Sequence, residues 1–424
     1  MNEISNWKHP YRAGKWLPAD QKVLENWLAA LIDHVTKHPK PLHPVIEDFK
    51  ALIEGDAQVY MLFHMMFEQV PTKPPYNNDP NGKPQVRDYH LMLRLFNAIM
   101  TRAPEWSETA LVSGLIGFPI NAILDWPMGT GGGFTAFLDP RVNARFRAML
   151  DEWARFLGST DSTYVLSDDP KSGWFGVEAM AAMPDFDKTF VCDPAAPHHG
   201  YTSWDDFFTR QFRPGLRPVA APDDDSIIVN ACESAPYRIA QNVKQRDRFW
   251  IKAQPYSMQH MLADDSLAPQ FVGGTVYQAF LSALSYHRWH SPVSGKVVKA
   301  YVQAGTYYSE AQSEGFDQSG PNESQGYITE VAARAMIFIE ADNPAIGLMC
   351  FMPVGMAEVS TCQITVYEGQ HVKKGDQLGM FHFGGSTHCL IFRPGVKLTF
   401  DMHGQTPGLN SSNIPVNANI AKVG

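Results

Sequence analysis

Cysteine is scarce in this chain, and the scarcity narrows its class. The five cysteines, Cys192, Cys232, Cys350, Cys362 and Cys389, are odd in number and scattered, with no C-x-x-C. Neither a disulfide framework nor a structural zinc site is expected, and a reducing, cytoplasmic setting is. Long apolar runs are missing too. The most apolar stretch, residues 110–124 (ALVSGLIGFPINAIL), is too short to cross a bilayer and holds Ser, Gly, Pro and Asn. The opening MNEISNWKHPYRAGKW has no apolar centre of the signal-peptide kind. Positive charge is in deficit: 35 Lys and Arg face 44 Asp and Glu, a net charge of −9, with no block of one sign. That argues against nucleic acid as the main partner and against adsorption to anionic membranes. No stable membrane anchor is expected.

What is present falls into two halves. Apolar residues recur at helical spacing over Val23, Leu24, Trp27, Leu28, Leu31 and Ile32, and over Val45, Phe49, Leu52 and Ile53. They recur again from Val142 to Leu157, after Pro140. The run GTGGGF (129–134) lacks the Gly-Lys-Ser/Thr ending of a phosphate loop and reads as a flexible connector. Residues 70–84 read as a Pro/Asn/Gly loop, and 303–326 as a long polar loop of the kind that forms lids. Beyond residue 195, short β-type runs separated by Gly and Pro dominate, such as 291–302, 366–381 and the alternation of Val396, Leu398, Phe400 and Met402. The expectation is an α+β fold, with a helical N-terminal domain over 1–195 and a β-rich catalytic domain over 196–424.

Three groups of residues in the β-rich half carry chemistry. FHFGGSTHCLIF (381–392) is an apolar strand interrupted by Gly384-Gly385-Ser386-Thr387. SYHRWHSP (285–292) sets His287 and His290 three apart. NACESAPY (230–237) places Glu233 among small and apolar neighbours. Singly, these read as a turn, two hydrogen-bonded histidines and a strand-end cap; the H-x-x-H lacks a third ligand, so no metal is expected. Together they supply a hydroxyl nucleophile, a base and an orienting carboxylate. The hydroxyl is not in the G-x-S-x-G strand–turn–helix of a hydrolase. The use suited to Gly-Ser is attack of the Ser386 hydroxyl on the Gly385 carbonyl, where the absent Cβ lets the backbone bend. Ester formation and elimination then leave dehydroalanine, and hydrolysis gives an N-terminal pyruvoyl. Such a ketone is an electron sink for loss of CO2, the task pyridoxal phosphate has elsewhere.

These segments resemble the pyruvoyl-dependent phosphatidylserine decarboxylase family. Gly384 to Thr387 corresponds to its L-G-S-T cleavage motif. Tyr286, His287, Arg288, His290 and Pro292 correspond to its Y-H-R-x-H-x-P. Phe207, Phe208, Arg210, Pro214, Gly215, Arg217 and Pro218 correspond to its F-F-x-R-x-x-x-P-G-x-R-P, and IKAQPYSMQHML (251–262) is similar to a further segment. Two departures, Gly384 for Leu and Glu233 for Asp, are shared with a soluble branch that includes the mushroom L-tryptophan decarboxylase of the psilocybin pathway, and nearly the whole chain is similar to that branch. The resemblance implies self-cleavage between Gly385 and Ser386, a pyruvoyl group from Ser386 and no pyridoxal phosphate. It implies that His290 and Glu233 complete the cleavage machinery, that His287 serves decarboxylation, and that the two fragments stay associated; the division of roles between the histidines is open. The expected substrate is a free aromatic L-amino acid, L-tryptophan first, giving tryptamine. The alternative is phosphatidylserine. A third reading takes GQHVKKGDQLG (369–379) as a lipoyl-type hairpin presenting Lys373 or Lys374.

Overall fold

The structure, a computed structural model, describes residues 21–70, 86–106, 118–248, 255–282, 284–311, 324–358, 361–383 and 385–424. The expected loop over 71–84, most of the polar stretch (312–323), residues 110–117 and 251–254, and Gly384 lie outside the described residues.

Helices fill the first half. They are α1 (Gln21–Lys37), α2 (Pro44–Gly55), α3 (Ala57–Glu68), α4 (Tyr89–Ile99), α5 (Pro119–Met128), α6 (Gly131–Leu138) and α7 (Pro140–Leu157). Their starts follow local chemistry. Asp56, Asp88 and Asp139 accept hydrogen bonds from the backbone N–H of Val59, Leu91 and Arg141, and Pro44, Pro119 and Pro140 open their helices without a wasted donor. The apolar stripes are buried as expected, through Leu28 and Leu31, Phe49 and Ile53, and Val142 to Leu157. Trp27 is the exception at 37% exposed.

The run GTGGGF is not a connector. Thr130 Oγ1 accepts from Gly133 N at 2.9 Å and caps α6. A Cβ on Gly133 would stand 2.0 Å from the Pro127 carbonyl, and one on Gly132 would stand 2.8 Å from Met66 N. The glycines let α6 pack onto α3 and the end of α5, which outweighs their poor helix propensity.

The strands of the second half are β1 (Ile227–Val229), β2 (Ala235–Ala240), β3 (Thr275–Leu281), β4 (Arg288–His290), β5 (Gly295–Gln303), β6 (Arg334–Ala341), β7 (Leu348–Met356), β8 (Thr361–Ile364), β9 (His371–Val372), β10 (Gln377–His382), β11 (Gly385–Phe392), β12 (Leu398–Phe400) and β13 (Asn419–Val423). Seven form one sheet in the order β2-β3-β11-β7-β6-β5-β9; β1-β13-β12 and β4-β10-β8 form two smaller ones. The fold class is α+β, as expected. The core runs continuously through both halves: Phe146 of α7 lies 4.8 Å from Tyr308, and Trp153 lies 4.9 Å from Phe383.

The carrier reading fails for Lys374. GQHVKKGDQLG does turn at Gly375, where φ is +88°. Lys374, however, is buried, and its Nζ donates to the carbonyls of Ala221, Asp224 and Ile227. Its ammonium closes a loop and is not presented to a modifying enzyme. Among the described residues no helix is long and apolar enough to cross a membrane.

Candidate active site

The Gly385–Ser386 bond lies where the chain leaves one sheet for another. β10 belongs to the β4-β10-β8 sheet and β11 to the seven-stranded one. In β11, Ser386 stands opposite Leu281 of β3 and Gly355 of β7, and Gly385 opposite Met356. The turn between the strands includes Phe383 at φ +37°, a left-handed conformation that costs a residue with a Cβ about 1–3 kcal/mol. Packing imposes it: the Phe383 ring lies 4.9 Å from Trp153, 5.6 Å from Phe208 and 5.9 Å from Trp204.

His287 adjoins this wall. Its carbonyl accepts from Phe381 N at 3.0 Å, and its fully buried ring stacks on Phe208 at 4.0 Å. His290 is turned elsewhere. Its Nδ1 lies 2.8 Å from the Gly375 carbonyl and its Nε2 3.0 Å from the Tyr286 hydroxyl. A carbonyl only accepts, so Nδ1 carries the proton and Nε2 accepts from the tyrosine. Burial, aided by Arg288, pushes the His290 pKa down, and the Gly375 carbonyl opposes this. Glu233 forms a two-point contact with Arg217, at 3.0 Å from Nε and 2.7 Å from the second guanidinium nitrogen, and accepts from Val416 N at 2.9 Å. The hydrogen bonds therefore do not join Glu233 to a histidine. Tyr286 donates to His290 at 3.0 Å, and its hydroxyl, held up first by burial, also feels the Glu233 charge.

Two further groups were not singled out in the sequence. His388 is two positions along β11 from Ser386 and fully buried; its Nε2 lies 3.0 Å from the hydroxyl of Ser234, the neighbour of Glu233. Burial pushes its pKa down to about 3, so the imidazole is neutral. Glu358 follows the end of β7, and its Oε1 accepts from Ile120 N at 2.7 Å and Asn121 N at 2.9 Å, capping α5 from across the fold. Its Oε2 makes no hydrogen bond among the described residues. Burial outweighs the helix amides and pushes its pKa up to about 8. Glu358 lines a narrow cleft with Leu150, Trp153, Leu157 and Phe383, and with the Asp205–His382 pair, whose contact is 2.9 Å.

These groups set a pH dependence. Burial also pushes Glu330 up to about 7. The folded state holds protons on Glu358 and Glu330 that the unfolded chain, with carboxyls near 4.5, releases. Their contribution to stability is therefore present at low pH and is lost as pH rises from about 4.5 through about 7 and 8. His388 acts in the opposite direction, losing stability as pH falls from 6.5 toward about 3. Thermal melting of Glu358→Gln, which keeps the acceptor for α5, should show a flatter decline between pH 6 and 9 than the wild type. An equal slope would remove Glu358 from this account.

Residues 43–183 and 204–407 match two family profiles described as phosphatidylserine decarboxylase. Those matches, on an α+β fold, place the protein among the carboxy-lyases. The chain is 46% identical over 302 residues to the decarboxylase iboD of Amanita muscaria, covering 67% of this chain and 86% of that one. It is 37% identical over 408 residues to the L-tryptophan decarboxylase of Psilocybe cubensis, covering 90% and 89%. Over 207 residues it is 31% identical to phosphatidylserine decarboxylase proenzyme 3 of Schizosaccharomyces pombe, covering 48% of this chain and 20% of that one. The chain belongs to the phosphatidylserine decarboxylase family, whose members are in general pyruvoyl-dependent.

Proposed function

We propose that this protein is a pyruvoyl-dependent decarboxylase of aromatic L-amino acids, L-tryptophan first, matured by serinolysis between Gly385 and Ser386. The observation that carries it is the junction itself: a Gly-Ser bond at the start of an interior strand, beside a left-handed Phe383 pinned by aromatic rings. In maturation the Ser386 Oγ–carbonyl bond forms as the peptide C–N bond breaks. Elimination releases the Gly385 carboxylate, and water displaces the former amide nitrogen as ammonia. The surroundings fit a carbonyl group at position 386, because the pairing of β11 with β3 and β7 holds that position after the cut. Once formed, the group supplies the electron sink for loss of CO2.

The chain's own residues take the remaining roles. His287, in the wall beside Phe383, is assigned to proton delivery to the substrate carbon. His290 and Glu233 are assigned to self-cleavage, coupled through Tyr286. His290→Ala and Glu233→Gln should slow cleavage, read as full-length chain on a denaturing gel. His287→Ala should cleave and lack activity. Normal cleavage in His290→Ala with none in His287→Ala would exchange the two histidines.

Two relatives are named for tryptophan. Burial of an indole against apolar side chains contributes about 2–3 kcal/mol, roughly 30- to 150-fold in kcat/KM if realised in the transition state. CO2 release should therefore be fastest with L-tryptophan, intermediate with L-phenylalanine and L-tyrosine, and poor with L-serine. The second reading, phosphatidylserine, is favoured by the family's description; a higher kcat/KM for phosphatidylserine in detergent micelles would put it first. We further propose a division into a helical unit over 1–195 and a catalytic unit over 196–424, and a cytoplasmic location.

A further inference from the structure

Away from the junction, where the helices give way to strands, three unlike donor atoms converge. Asp187, Cys192 and His199 each offer one, and all lie within 4.8 Å of one another. His199 Nδ1 is 3.3 Å from Asp187 Oδ1, and Cys192 Sγ is 3.6 Å from the same oxygen. A tetrahedral zinc ion with bonds of about 2.0 Å to N and O and about 2.3 Å to S requires edges of about 3.3 Å between N and O and about 3.5 Å between S and O. The two edges to Asp187 match, and the third, between Cys192 Sγ and His199 Nδ1, is within 4.8 Å.

Without a metal the Cys192 thiol donates to Asp187 Oδ1, but the histidine–aspartate hydrogen bond is not made. His199 Nδ1 is buried and without a hydrogen bond, although a carboxylate oxygen stands 3.3 Å away. The ring is fixed there by stacking on Phe175 at 3.7 Å and 2°. His198 and His199 both adopt left-handed backbone, φ 55° and 54°, which non-glycine residues hold only when their surroundings impose it. Arg213 donates from Nε to the Asp187 carbonyl at 2.8 Å and from a terminal nitrogen to the Cys192 carbonyl at 2.9 Å, tying together the backbones of the other two residues. Its charge opposes a cation, and two anionic ligands offset it.

We propose that Asp187, Cys192 and His199 form a three-ligand site for a zinc-type divalent cation, with the fourth position left to water. On binding, the Cys192 S–H proton passes to solvent and the thiolate takes the metal; thiolate and carboxylate neutralise its two charges, and the imidazole completes the protein ligands. All three residues are partly exposed, with the His199 Nδ1 atom itself covered. The site is separate from the pyruvoyl reaction and does not rest on it.

The test is titration of chelator-stripped full-length protein with Co²⁺, followed by absorption. The expected result is a thiolate-to-cobalt charge-transfer band that saturates at one equivalent and is displaced by Zn²⁺. Cys192→Ser should lack the band, and His199→Ala should need roughly tenfold more metal or worse. Far-ultraviolet circular dichroism checks that both variants fold. Absence of the band in the wild type overturns the proposal, as does an undiminished band in folded Cys192→Ser. If Cys192→Ser does not fold, unchanged Co²⁺ affinity in His199→Ala overturns it equally.

Discussion

Ser386→Ala yields a single uncut chain of 424 residues with decarboxylase activity at background. On the proposed mechanism the serine supplies both the nucleophile for its own maturation and the atoms of the group that follows, so nothing else in the chain replaces it. Alanine keeps the backbone of β11, and with it the pairing to Leu281 and Gly355. The stability cost should be small, about 1 kcal/mol. Uncut, inactive and folded is thus the expected combination, read by intact mass, CO2 release and thermal melting. A cleaved or active Ser386→Ala protein would remove the pyruvoyl mechanism.

The wild-type protein is expected to come apart into residues 1–385 and 386–424 only on denaturation, the 39-residue piece with a blocked N-terminus. The short fragment is woven into two sheets. Its β11 lies between β3 and β7, with Leu390, Ile391 and Phe392 buried. Its β13 pairs with β1, which belongs to the long fragment. Burial of each large apolar side chain contributes about 1.5–3 kcal/mol, and none of these contacts crosses the cut bond. Native size-exclusion chromatography should give one peak containing both pieces. Loss of the short piece under native conditions would contradict the association, and a wild-type chain that is active yet full-length would contradict the cleavage.

The sequence was most legible where one local rule decides the outcome. Helix α7 runs Pro140–Leu157, as its proline and apolar spacing indicate, and β12 falls within the alternation that ends at Met402. GTGGGF was misread because what makes it a helix is not local: Met66 N and the Pro127 carbonyl leave no room for a Cβ. The site was legible in its residue types more than in its pairings. Glu233 was noticed as an acid in an apolar run, but its partner Arg217 comes from a different segment. Glu358 carries the same signal, a lone acid after the buried strand β7, and was passed over; its role at the start of α5 depends on a contact between distant segments. His388 follows Ser386 at the strand period of two, a spacing that could have flagged it.

The position of β11 between β3 and β7 also sets an order of events in the cell. The strand bearing the scissile bond is the last of the seven to leave the ribosome, and its neighbours are made well before it. The proposed scissile bond cannot take its place in the sheet until β11 has paired with β3 and β7. On the proposed mechanism, cutting follows completion of this sheet, and each cut chain records one molecule that completed it. The ratio of cut to uncut polypeptide in a cell extract then serves as a tally of folding success, with no probe added.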